Sequence, residues 1–186
     1  MNGRLDGRIA MVTGASRGMG YAIAEGLAAE GAKVAMVARG ADELEEASAR
    51  IGEAALPLTC DIADPDSVRR TFAAVKQRWV GLDILINNAA LATPNPIAEA
   101  RDRDVQMEVA VNVLGPLYCC REAIPLMRER GGGDIVNISS ESVRHPYPHL
   151  SLYAATKSAL ETLSTALQGE VANDRIRVTV YRSGNV

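Results

Sequence analysis

The chain has 186 residues, 47% of them hydrophobic and 23% charged, and 20 Lys+Arg against 23 Asp+Glu leave a formal charge of −3. That length suits one globular domain, residues 1–186, burying roughly 70% of its unfolded surface, and it fits neither disorder nor an electrostatic nucleic-acid binder. No apolar run approaches the ~18–20 residues of a membrane helix, residues 1–8 carry no secretory signal pattern, and three sparse cysteines point to a reducing cytoplasm rather than a disulfide framework.

In chain order, Ile9–Thr13 reads as a buried strand, residues 21–30 as a helix stopped by Gly31, and Lys33–Ala38 as a second strand. Residues 42–51 are helical and Ala55–Thr59 extended. Asp64 and Pro65 supply an N-cap and a first-turn proline for a helix through Arg78. Residues 83–87 form a fourth strand, 104–130 one long helix, 134–138 a fifth strand, 152–171 a helix and 176–181 a sixth strand. Apolar strands alternating with helices predict an α/β fold: a parallel, doubly wound sheet in three α/β/α layers, with ligands at the strands' carboxyl ends. The irregular stretches 91–103 and 141–150 follow strand ends, so Leu91, Thr93, Pro94, Tyr147 and Leu150 are candidate pocket walls. The sixth strand is expected to be a sheet edge.

The first strand runs into Thr13-Gly-Ala-Ser-Arg-Gly-Met-Gly20. Gly14, Gly18 and Gly20 permit a tight turn and close backbone approach to a pyrophosphate, which the next helix meets with its free N–H groups. The second strand ends in Arg39 without the carboxylate that holds an unphosphorylated ribose. Arg17 and Arg39 together predict a clamp for a 2′-phosphate, hence NADP(H) over NAD(H). Asp61 ends the third strand; Asp64 does the capping, which leaves Asp61 free for an adenine amino group. Asn87 and Asn88 close the fourth strand, the first as apt for a structural task as the second for a coenzyme contact.

Tyr153 and Lys157 lie one helical turn apart and face one site, where an ammonium would favour the phenolate. Ser140, at the end of the fifth strand, is a candidate partner for a substrate oxygen. Asn112, mid-helix, is a candidate to hold a water and pass a proton toward Lys157. No metal site is expected: His145 and His149 lack a third ligand, and Pro146 and Pro148 break any helical face between them. Ser140 with either histidine lacks a nucleophile elbow, so hydrolase chemistry is not expected.

These residues resemble the short-chain dehydrogenase/reductase family across residues 8–186. The resemblance implies a Rossmann fold whose coenzyme contacts would be Gly14, Ser16, Arg17, Gly18, Met19, Gly20, Arg39, Asp61, Ile62, Asn88, Ala89, Tyr153, Lys157 and Val186. It implies Asn112, Ser140, Tyr153 and Lys157 as a catalytic tetrad interconverting a small-molecule carbonyl and an alcohol, in a homodimer or homotetramer. Three features depart from the family pattern: Ala90 replaces a glycine, Ser183-Gly184 replaces Pro-Gly, and the six predicted strands stop short of the usual substrate lid and seventh strand. The sequence is therefore expected to be part of a longer protein. The alternatives are a shortened, weakly active or non-catalytic dinucleotide binder, and an epimerase or dehydratase using the same Tyr–Lys pair.

Overall fold

The computed structural model describes residues 3–184. Six parallel strands form one sheet in the order β3-β2-β1-β4-β5-β6: β1 (Ile9–Thr13), β2 (Lys33–Ala38), β3 (Ala55–Thr59), β4 (Ile84–Asn87), β5 (Gly133–Ser140) and β6 (Ile176–Ser183). The order reverses between β1 and β4, and a crevice opens there along the carboxyl ends, as the doubly wound topology requires. Among the described residues β6 pairs only with β5 and is an edge.

Although the strands are almost wholly apolar, their side chains still alternate between faces. Ile9 and Met11 of β1 join Phe72, Leu85, Met127 and Ile135 in one core, and Ala10 and Val12 join Val34, Met36, Leu44 and Ile86 in the other. Helices α1 (Gly18–Ala29) and α2 (Ala41–Ile51) cover the second face, while α3 (Pro65–Trp79) and α5 (Gly115–Arg130) cover the first. Asp64 caps α3 as expected, accepting from the Asp66 N–H at 2.9 Å. Asp83 sits just before β4 as a buried anchor, taking hydrogen bonds from Ile9 N–H at 2.8 Å and from the guanidiniums of Arg8 and Arg130.

The expected helix over 104–130 is not uniform. It comprises α4 (Asp102–Val109), a π-helical turn (Ala110–Leu114) and α5, with no break in direction at the joins. The wider turn carries Asn112, whose side chain bridges to neighbouring elements. α6 (Ser151–Glu170) packs against β5, β6 and this π turn.

Candidate active site

Two positions of the glycine loop, Gly14 and Gly20, are shaped by contacts that leave no room for a side chain. Gly14 has φ +67°, a conformation costly for other residues, and a Cβ on Gly20 would collide with the Gly14 carbonyl. Thr13 Oγ1 accepts the N–H groups of Asn88 and Ala89 at 3.0 Å each, and Asn88 Nδ2 donates to the Thr13 carbonyl at 2.9 Å. Asn88 therefore buttresses the loop with its side chain. At the start of α1, Arg17 provides no side-chain cap and the first turn holds no acidic residue, so the helix presents uncompensated N–H groups. A Cβ at Gly18 would meet nothing within 4 Å, which leaves open space directly before that helix end.

The cleft here has a volume of about 380 Å³, and its walls include Gly14, Ser16, Arg17, Met19, Gly20, Arg39, Asp61, Ile62, Asn88 and Ala89. Two corrections apply to the sequence reading. Asp61 is not wholly free, because its Oδ1 accepts the Ala63 N–H at 3.0 Å in a side-chain turn. The arginine end of the cleft also has a carboxylate, since the first turn of α2 brings Glu43 into the wall. Val186 lies outside the described residues.

Ser140, Tyr153, Lys157 and Asn112 do not line this cleft; they stand farther along the same carboxyl edge, past Leu91, which does. Lys157 is buried, its Nζ donates to the Ile138 carbonyl at 2.7 Å and lies 5.7 Å from the Tyr153 ring centre. Burial pulls its amine down to about 8. The Tyr153 phenol is pushed up by its own burial, while a hydrogen bond from Ser140 pulls it down and the Glu108 charge pushes it up further. The pull of Lys157 on the phenol that the spacing suggested is not what sets it here: the ammonium donates to a backbone oxygen, and burial keeps the phenol above its ordinary value. Ser140 Oγ accepts the Ser142 N–H at 3.1 Å, which orients it toward the phenol.

The Asn112 side chain has a structural task that the sequence did not show. Its Oδ1 accepts the Leu91 N–H at 2.8 Å, and its Nδ2 donates to the Leu91 carbonyl at 2.7 Å and to Thr156 Oγ1 at 3.0 Å. Both amide protons are spent, so the side chain clamps these neighbours. One turn earlier, the fully buried Glu108 takes the Thr93 N–H at 3.0 Å and the Thr93 hydroxyl at 2.5 Å. Glu108 and Asn112 thus grip the loop after β4 from one helix face, and Asn95 N–H to the His149 carbonyl at 3.0 Å ties that loop to the one after β5. Asn87 takes the structural role, donating to Asn137 Oδ1 at 2.8 Å, and Asn137 in turn donates to Ser164 Oγ at 2.8 Å.

Sequence reasoning missed Glu43, Glu108, Thr13 and Asn137. Glu108 had a visible signal, a lone acid inside the apolar run Val109-Ala-Val-Asn-Val113 and its preceding turn. Glu43 had none, being one of several acids on an amphipathic helix. Among the described residues no His, Cys, Asp and Glu grouping is placed to hold a metal, and no helix is long and apolar enough to cross a membrane.

Comparison with known proteins places this geometry. The profile of the family described as short chain dehydrogenase matches residues 8–186. Dehydrogenase/reductase SDR family member 11 of Gallus gallus is 36% identical over 98% of this chain and 76% of its own length. L-Sorbose reductase from Gluconobacter frateurii, solved with NADPH and L-sorbose, has a TM-score of 0.93 at 36% identity and is matched over 98% of this chain and 71% of that one. The 3-ketoacyl-(acyl-carrier-protein) reductase from Brucella melitensis, solved with NADH, has a TM-score of 0.94 at 32% identity, over 97% and 76%. The chain belongs to the short-chain dehydrogenase/reductase family and is an NAD(P)-dependent oxidoreductase acting on small molecules. The uncapped start of α1, the glycines Gly14 and Gly20 that admit no side chain and the unobstructed Gly18 fit a dinucleotide diphosphate.

Proposed function

We propose that this protein reduces a carbonyl to a secondary alcohol with NADPH, and runs the reverse oxidation with NADP, using Tyr153 as the general acid and base. The coenzyme supplies hydride exchange with the carbonyl carbon. Tyr153 gives its phenolic proton to the carbonyl oxygen and regains it from solvent; in oxidation the proton moves the other way. Ser140 orients that oxygen by a hydrogen bond, and Lys157, once a ribose competes for its ammonium, stabilises the phenolate left behind. Asn112 is assigned to positioning: it holds Leu91 and, through Thr156, the base of α6. Arg17 and Arg39 hold the 2′-phosphate, while Gly18 at the start of α1 and the walls Gly14, Ser16, Met19, Gly20, Asp61, Ile62, Asn88 and Ala89 hold the rest of the dinucleotide.

The observation that carries this reading is a half-buried phenol beside the Ser140 hydroxyl, its ring centre 5.7 Å from the Lys157 amine, on the same carboxyl edge as the glycine loop. The similar reductases named above make ketoses and 3-ketoacyl thioesters the first substrates to try. NADPH oxidation is expected against at least one of them, and Tyr153→Phe is expected to lower turnover by roughly 10²–10⁴-fold with NADPH binding retained. Comparable turnover in the variant would remove Tyr153 from the chemistry. The same reading expects a cytoplasmic homodimer or homotetramer pairing α5 and α6, where Leu117 of α5 and Leu114 just before it are exposed; sedimentation as a monomer would contradict it.

A further inference from the structure

The coenzyme end of the cleft contains two arginines and one carboxylate, and they are not equivalent. Arg39, just after β2, makes no ion pair among the described residues, whereas Arg17 Nη1 lies 3.8 Å from Glu43 Oε1. Glu43 stands in the first turn of α2, directly after the Arg39-Gly40 bend, and shares the cleft wall with both arginines. The pair is open to water, with side chains 84% and 61% exposed, so its energy is small and easily exchanged. A dianionic 2′-phosphate seated between Arg17 and Arg39 must take Arg17 from Glu43 and then bear the repulsion of that carboxylate. An unphosphorylated ribose meets the opposite situation, because a carboxylate accepts hydrogen bonds from the 2′- and 3′-hydroxyls.

We propose that Glu43 is a coenzyme-selecting residue that tempers the preference set by Arg17 and Arg39, so that the protein accepts NAD(H) as well as NADP(H). The inference rests on the coenzyme orientation given under the proposed function and adds a residue that opposes its preference. Asp42, the neighbouring acid in the same turn, does not line the cleft and serves as the charge-matched control.

The test is equilibrium titration of the full chain with NADPH and with NADH, followed by nicotinamide fluorescence, for the wild type, Glu43→Gln and Asp42→Asn. Glu43→Gln is expected to tighten NADPH about two- to fivefold, the range of an exposed ion pair, and to leave NADH unchanged or weaker. Asp42→Asn is expected to move NADPH by less than about twofold, and roughly 0.5 M NaCl should shrink the Glu43 effect, as screening requires. An equal shift for both dinucleotides, an equal effect of Asp42→Asn, or no shift at all would overturn the role of Glu43 while leaving the coenzyme site standing. If the wild type binds neither dinucleotide, the coenzyme reading falls and the role of Glu43 falls with it.

Discussion

The two halves of the carboxyl edge are built on different physics. On the side of β1, β2 and β3 the edge presents backbone N–H groups, glycines and exposed charges such as Arg17 and Glu43. On the side of β4, β5 and α6 it is built from buried polar side chains, with Glu108, Asn112, Asn137 and Lys157 at no more than 2% exposure. The first half is cheap to alter and sensitive to salt; the second is rigid and intolerant, because each buried partner left unsatisfied costs its desolvation.

That contrast gives a ranked set of outcomes. Asn112→Ala strands the Leu91 N–H and carbonyl and the Thr156 hydroxyl, so a loss of about 2–4 kcal/mol in urea denaturation is expected. A loss near zero would erase the distinction between the halves.

Lys157→Met tests the same region with the opposite sign. The amine titrates at about 8 in the folded chain against an ordinary 10.5. Between those values the unfolded chain holds a proton that the folded chain has released, so stability rises with pH across that window. Below pH 8 the cost of burying the cation is present in full. The variant is therefore expected to gain on the order of 1–2 kcal/mol at pH 7, net of the lost bond to Ile138, and to lose the rise above pH 8. A variant less stable than the wild type at pH 7 would mean that the ammonium is well solvated by its surroundings.

The smallest effect belongs to the exposed half. Arg39→Asp is expected to change the ratio of NADPH to NADH dissociation constants by roughly tenfold toward NADH, without altering the melting temperature. An unchanged ratio would take Arg39 out of the site.

The fold was legible because the strands are nearly all apolar and are punctuated by Gly31 and Asp64-Pro65, signals that act over one or two turns. The glycine loop and the Tyr153–Lys157 spacing were legible for the same reason: a helix places i and i+4 together wherever it lies. The π turn was not, because a helix gains or loses a residue per turn according to what packs against it, and Asn112 is drawn toward Leu91 and Thr156 across 21 and 44 positions of sequence. The direction in which the Tyr153 phenol is pushed was not legible for a related reason. Spacing shows that an amine is near, but not how far the phenol is buried or that the Ile138 carbonyl accepts from that amine.

The Asn87–Asn137–Ser164 chain has a mechanical consequence. Ser164 and Lys157 are seven residues apart, two turns on one side of α6, and each is fastened to β5, at Asn137 and at the Ile138 carbonyl. Two rivets two turns apart leave α6 no freedom to slide along the sheet or roll on it. The height of the Tyr153 oxygen above the strand ends is thereby gauged from the middle of the molecule, and a loop exchanged at the rim should alter what the protein grips without moving that phenol.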